Sequence, residues 1–210
     1  MLHLWDNADS GNGYKVRLLL AQLERPYQWT DLDIFHGGSR TPEFLAKNPA
    51  GQVPTLELED GRCLAESNAI LWYLADGTPF LPNDPFDRAL VLQWMFFEQY
   101  SHEPYVATPR FILRHLPADS PRREELPWRL ERGRRALALM ESHLAWRRFF
   151  VADIYSIADV ALYAYTHVAD QGGHDLEPYP AVRAWLARVA AQSRHVAITK
   201  LPSSSSSSAD

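Results

Sequence analysis

The chain has 210 residues, 46% of them hydrophobic and 22% charged, and a net charge of −5. That length suits one or two globular domains with a sizeable core, and the acidic balance, with no long basic run, argues against nucleic acid as a partner. No apolar stretch of about 18 residues is present to span a membrane; no leader-type segment precedes the first strand-like run, and the single cysteine, Cys63, precludes an intrachain disulfide and suits a reducing cytoplasm.

Residues 2–5 (Leu2, His3, Leu4, Trp5) read as a first strand. Residues 6–13 form a turn-rich loop containing Asn7, Asp9, Ser10, Gly11, Asn12 and Gly13. A helix is predicted over 14–23, with Val16, Leu19, Leu20 and Leu23 on one face, and Pro26 stops it. Residues 27–32 read as a second strand, giving a βαβ unit. A loop over 35–40 leads to a short helix over 42–47, capped by Thr41.

The stretch 48–75, NPAGQVPTLELEDGRCLAESNAILWYLA, organises the rest. An X-Pro bond adopts the cis form at a cost of only about 0.5–1 kcal/mol. Pro54 belongs at a strand start, and Val53 before it is pushed to extended geometry, able to pair with an extended peptide. Asp60-Gly61 signals a hairpin turn between strands at 55–58 and 63–65. Ser67 reads as the N-cap of the helix that follows, whose N–H groups attract a carboxylate, and Glu66 offers an acceptor for a cation. A donor nest beside a carboxylate suits an amino acid zwitterion.

Residues 77–87 read as a linker, and the pattern then turns all-helical. One helix is predicted over 87–115 with Pro104 and Pro109 as kink sites, and a second over 121–148 with Pro127 a possible interruption. Ser156 and Asp159 resemble a capping box ahead of an apolar helix over 160–168, and residues 180–193 give a last amphipathic helix. The arginine pairs at 122–123, 134–135 and 147–148 read as solvated helix faces, and the serine run at 203–208 as a disordered tail. No dinucleotide fingerprint, phosphate loop, zinc-protease helix or nucleophile elbow is present, and dispersed histidines with one cysteine give no metal site.

The 48–75 stretch resembles the glutathione-binding half of the cytosolic glutathione S-transferases, and the surroundings of Ser156 and Asp159 resemble that family's C-terminal half. The likeness is to bacterial, serine-type (theta-like or nu-like) members. It implies a thioredoxin-like N-terminal domain (βαβ-α-ββα) over 1–76 and an all-helical domain over 88–200; the composition sets the linker at 77–87 between them and a disordered Ser-rich tail at 201–210 after them. It implies glutathione as co-substrate, with Val53 and Pro54 at its cysteinyl part and Glu66 and Ser67 at its γ-glutamyl end. Arg40, more weakly His36, would meet the glycyl carboxylate, and Gln52 would add an amide contact.

A glutathione thiol has a pKa near 8.5, so the chemistry needs a donor aimed at sulfur near a helix N-terminus. Ser10 is the first choice for that role and Asn12 the second. Trp5 stands where tyrosine-type members carry their Tyr, Tyr14 reads as a packing residue, no cysteine occupies the loop, and Cys63 reads as inert. The resemblance places the electrophile between the domains, with Tyr105, Arg110 and Phe111 as wall residues. It implies a cytoplasmic homodimeric detoxification enzyme that joins glutathione to a small electrophilic apolar substrate. The alternatives are glutathione-dependent isomerisation, peroxide reduction, or a non-enzymatic dimerisation or binding module.

Overall fold

Strand β1 (Leu2–Asp6) runs parallel to β2 (Tyr27–Asp31) and antiparallel to β3 (Thr55–Glu57), which pairs antiparallel with β4 (Cys63–Ala65), in the sheet order β2-β1-β3-β4. Leu4 faces Trp29 on one side and Leu56 on the other, and all three are buried. A parallel pair needs a crossover, which is α1 (Gly11–Gln22). Helix α2 (Pro42–Lys47) has Thr41 as its cap, and α3 (Ser67–Ala75) packs against α1. The order is that of a thioredoxin-like domain. The Asp60-Gly61 turn closes with Leu58 N–H to Arg62 O at 2.8 Å, and the Val53–Pro54 bond is cis.

The computed structural model describes residues 1–202; the predicted serine-run tail falls, over 203–210, outside the described residues. The chain divides into two compact units, one of Met1–Asp76 joined by the described residues from Ser193 on, the other Gly77–Gln192. The helical domain was expected to run to residue 200, but the segment after Ser193 is bonded to the first unit. Tyr14 Oη donates to Val196 O at 2.7 Å, Arg17 Nη1 to Ile198 O at 3.2 Å, and Arg194 pairs with Glu24 at 2.7 Å.

In the second unit the linker is shorter than predicted: α4 (Pro85–Phe97) starts at a proline in its first turn, with the Asp84 carboxylate accepting from Phe86 and Asp87 N–H. The single helix expected over 87–115 is two, α4 and α5 (Glu103–His115), joined by a π-helical turn at Glu98–His102 just ahead of Pro104. A proline inside a helix leaves the carbonyl four residues earlier without its N–H partner. At Pro109 that carbonyl belongs to Tyr105, and the His174 ring nitrogen Nε2 meets it at 2.9 Å. Burial holds the His174 pKa below its usual value, which keeps the ring a neutral donor.

Pro127 does not interrupt a helix; it lies in the first turn of α6 (Leu126–Leu144), after a 3-10 stretch at Pro121–Glu125. Helix α7 (Ile157–Thr166) starts three residues earlier than expected because Ser156 and Asp159 form a full capping box. Asp159 is fully buried: Oδ1 accepts from Trp185 Nε1 at 2.8 Å and from Phe150 N–H at 3.3 Å, and Oδ2 from Ser156 N–H at 3.0 Å. Trp185 stands on α8 (Pro180–Ala190), so one carboxylate ties α7, α8 and the Phe150 turn together.

Candidate functional site

The loop between β1 and α1 is fastened at several points. Asn7 Nδ2 donates to Leu32 O at 3.0 Å, and Ala8 N–H to Asp31 Oδ1 at 2.9 Å. Beneath the loop lies a buried ion pair, Arg17 Nε to Asp6 Oδ2 at 3.1 Å, and Arg17 Nη2 reaches Ala8 O at 3.0 Å. Full burial pushes the Asp6 carboxyl up to about 7, against the downward pull of the Arg17 guanidinium. Gly13 crosses directly over this carboxylate: a Cβ there would sit 1.5 Å from Asp6 Oδ1, so no larger residue fits.

Helix α1 begins at Gly11, not at residue 14 as the periodicity indicated, because Ser10 takes the N-cap in extended geometry and its Oγ accepts from Gly13 N–H at 3.1 Å. Asn12 is therefore a first-turn helical residue, not a loop residue. Ser67 is likewise displaced by one from its expected role: Glu66 occupies the N-cap position of α3, and Ser67 is the first helical residue. Glu66 has φ +68°, a left-handed conformation that L side chains adopt at a cost of order 1–3 kcal/mol. Such strain concentrates at ligand clamps.

The two helix starts meet. Ser67 Oγ lies 3.2 Å from Asn12 Oδ1 and donates to it, while the buried Lys15 Nζ donates to Ser67 Oγ at 3.4 Å. Before β3, the buried Asn48 amide donates to Gln52 O at 2.8 Å and to Thr55 Oγ1 at 3.1 Å, which fixes the backbone on both sides of Val53 and Pro54. The Gln52 side chain is exposed, Val53 half-buried and Pro54 buried. Arg40 is exposed and donates to Ala50 O at 2.9 Å, lying over Gly51; His36 is tied to Asp33 Oδ2 at 2.7 Å within its own loop.

The three wall residues expected in the helical unit have different partners. Tyr105 Oη accepts from Arg132 Nη1 at 2.9 Å and its ring meets Trp128 edge-on. Arg110 is buried and donates to Gln171 Oε1 at 2.8 Å, so it braces α5 and is not a surface cation. Phe111 contacts His115 and Arg122. Spacing along one helix did not reveal these three separate attachments.

Residues 1–76 match the glutathione S-transferase N-terminal domain, and residues 106–188 match the C-terminal domain of the same family. The chain belongs to the glutathione S-transferase family. A crystal structure of a glutathione S-transferase from Pseudomonas fluorescens Pf-5 is 53% identical, with a TM-score of 0.91, over 95% of this chain and 99% of that one. The disulfide-bond oxidoreductase YfcG of Escherichia coli strain K12 is 30% identical over 193 residues, 87% of each chain. The structure of Ure2p in complex with glutathione is 26% identical with a TM-score of 0.84, over 92% of this chain and 95% of that one.

Within this transferase-family fold, sequence reasoning missed Asp6, Lys15 and Arg17. The signal was present: Lys15 and Arg17 alternate with Tyr14, Val16 and Leu18 in a helix buried on nearly every side. A lysine and an arginine inside such a helix must find polar partners. Tyr14 is the packing residue expected, fully buried. Cys63 is half-buried on β4, and burial raises its thiol pKa. Among the described residues no cluster of three or more His, Cys, Asp or Glu side chains could hold a metal ion, and no helix is long and apolar enough to cross a membrane.

Proposed function

We propose that this chain binds glutathione on its first unit and conjugates the thiol to a small electrophilic apolar substrate. The observation that carries the reading is the contact between Ser67 and Asn12, which sets the N-terminal ends of α1 and α3 side by side. Each end bears about half a positive charge and unsatisfied N–H groups. One suits the γ-glutamyl carboxylate, the other a thiolate. In this reading Val53 pairs with the cysteinyl backbone beside Pro54, Glu66 takes the α-ammonium, and Ser67 with the first N–H groups of α3 takes the α-carboxylate. Arg40 and Gln52 stand at the glycyl end. Asn12 gives an amide N–H to sulfur; Ser10, whose oxygen caps α1, shapes the turn and offers its O–H as a second donor.

The reaction begins with loss of the thiol proton to solvent. The sulfur lone pair then forms the new C–S bond as the leaving group departs with its electron pair. Stabilising the thiolate by one pKa unit is worth about 1.4 kcal/mol, and proximity supplies the rest. The protein would act as a cytoplasmic homodimer in detoxification; Tyr73 on α3 and Phe86 and Phe96 on α4 are exposed apolar residues suited to a partner copy.

A second reading, disulfide reduction, is favoured by the likeness to YfcG. Here the thiolate attacks a disulfide sulfur and releases one thiol, and a second glutathione resolves the mixed disulfide to glutathione disulfide and a second thiol. The test is calorimetry with glutathione, followed by conjugation of a chlorodinitrobenzene and reduction of bis-hydroxyethyl disulfide. Binding with conjugation is expected. Binding with disulfide reduction alone moves the assignment to the second reading, binding with neither moves it to isomerisation or peroxide reduction, and no binding leaves a dimerisation module. Loss of conjugation in Asn12→Ala with retention in Ser10→Ala is the expected split.

A further inference from the structure

Lys15 is fully buried one turn into α1, and its ammonium donates to a hydroxyl that itself donates to Asn12. An ammonium is a donor only, so the Ser67 oxygen can only accept from it and must send its own hydrogen elsewhere. The acceptor it meets is Asn12 Oδ1 at 3.2 Å. An amide that accepts at oxygen has its orientation fixed: its N–H₂ end is turned away from Ser67. We propose that Lys15 is a positioning residue, which through Ser67 holds the Asn12 amide with its N–H₂ end toward the glutathione sulfur.

The inference rests on the glutathione-binding reading above, and it adds a residue and a direction of action. Lys15 does not touch the sulfur. Its charge lies beside the positive end of α3, where it adds to the field that favours an anion. Its donor bond also commits the single Ser67 hydrogen to Asn12, so the α-carboxylate is held chiefly by the backbone N–H groups of α3. Without Lys15 the Ser67 oxygen can accept from the Asn12 N–H₂ in place of donating to its oxygen, an arrangement that turns the amide oxygen toward the thiolate and repels it.

The test reads the pKa of glutathione bound to the intact protein, from the ultraviolet absorbance of the thiolate against pH, in the parent, Lys15→Met, Asn12→Ala and the double variant. Binding of S-methylglutathione, which has no thiol, is measured alongside. Lys15→Met is expected to raise the bound-thiol pKa by about one unit, a roughly tenfold smaller ionisation constant for the bound thiol. In the Asn12→Ala background it is expected to raise it no further. An unchanged pKa in folded Lys15→Met, or equal shifts in the two backgrounds, overturns the inference while the binding reading stands. A parent that binds neither glutathione nor S-methylglutathione overturns both. If Lys15→Met does not fold, Ser67→Ala cuts the same relay at its middle atom. The same rise is then expected, and an unchanged pKa there overturns the proposal.

Discussion

Among the described residues, each unit holds one fully buried aspartate with its pKa raised to about 7 by desolvation, Asp6 in the first and Asp159 in the second. Their surroundings differ. Asp159 is met by directed donors, Trp185 Nε1 and two backbone N–H groups, and needs no counter-charge. Asp6 is met chiefly by a guanidinium at 3.1 Å that makes an ion pair without a well-directed hydrogen bond, with the Asn7 N–H and the Trp29 indole as lesser donors that also pull its pKa down. A hydrogen bond constrains both distance and angle, whereas charge attraction constrains distance alone. The first arrangement pins a core; the second underlies a loop, through Arg17, whose other nitrogens hold Ala8 O and Ile198 O. A raised pKa marks burial in both places and a functional site in at most one of them.

The largest effect is expected at Asp159. Asp159→Ala strands the Trp185 indole N–H and two backbone N–H groups in the core, at about 1–3 kcal/mol each. A loss of about 4 kcal/mol in denaturant unfolding, or failure to accumulate folded protein, is expected. A loss under about 1 kcal/mol would show that the donors find other partners.

Asp6→Asn leaves the buried Arg17 charge without its counter-charge; because Arg17 keeps its carbonyl partners, the cost is expected at the low end for a broken buried pair, about 3 kcal/mol, and glutathione binding is expected to weaken through the loop that the pair underlies. The pH dependence separates the two aspartates. In both cases the folded protein holds the proton more tightly than the unfolded chain, whose aspartates titrate near 3.9. Between about pH 4 and 7 the native state therefore binds more protons, and stability falls as pH rises through that window. Asp6→Asn should flatten part of that fall and also alter glutathione affinity across it. Asp159→Asn should flatten stability alone. Equal effects of both on affinity would erase the distinction.

Much of the first unit was legible from sequence because its signals are local. Proline before a short strand, Asp60-Gly61 and Thr41 before Pro42 each act within a few residues, and they placed β3, the hairpin and α2. The start of α1 was misplaced because Gly11, Asn12 and Gly13 are poor helix formers. The Ser10 cap and the approach of Gly13 to Asp6 override that propensity, and that approach is tertiary. The role of Arg110 was hidden for the same reason: its partner Gln171 is 61 positions away. In the site, Asn12 and Ser67 were each legible as residue types beside a helix start; their contact, and Lys15 behind it, needed the packing of α1 on α3.

A smaller effect is expected at Glu66, and of opposite sign in stability and binding. Its φ of +68°, with ψ 112°, is a conformation that glycine adopts at lower cost than a residue with a Cβ. Glu66→Gly should leave unfolding stability unchanged or higher by up to about 1 kcal/mol, glycine's own unfolded-state entropy offsetting part of the relief. Glutathione affinity should fall at least tenfold through loss of the carboxylate. If stability drops by more than about 1 kcal/mol, the side chain supports the fold and the strain argument fails.

The smallest effect is expected at Arg40. Its guanidinium spans an exposed turn by one bond to Ala50 O, and water replaces that acceptor's partner at little cost. Arg40→Ala should change stability by about 0.5 kcal/mol or less. If Arg40 meets the glycyl carboxylate, glutathione should bind several-fold more weakly to the variant, and a γ-glutamylcysteine lacking glycine should bind parent and variant alike. The difference between the two ligands isolates the glycyl contact from any movement of the Gly51 turn, because a shifted turn would carry Val53 with it and weaken both. Equal weakening would place Arg40 with Asp6, as a residue that shapes the loop, and not with Glu66, as one that touches the ligand.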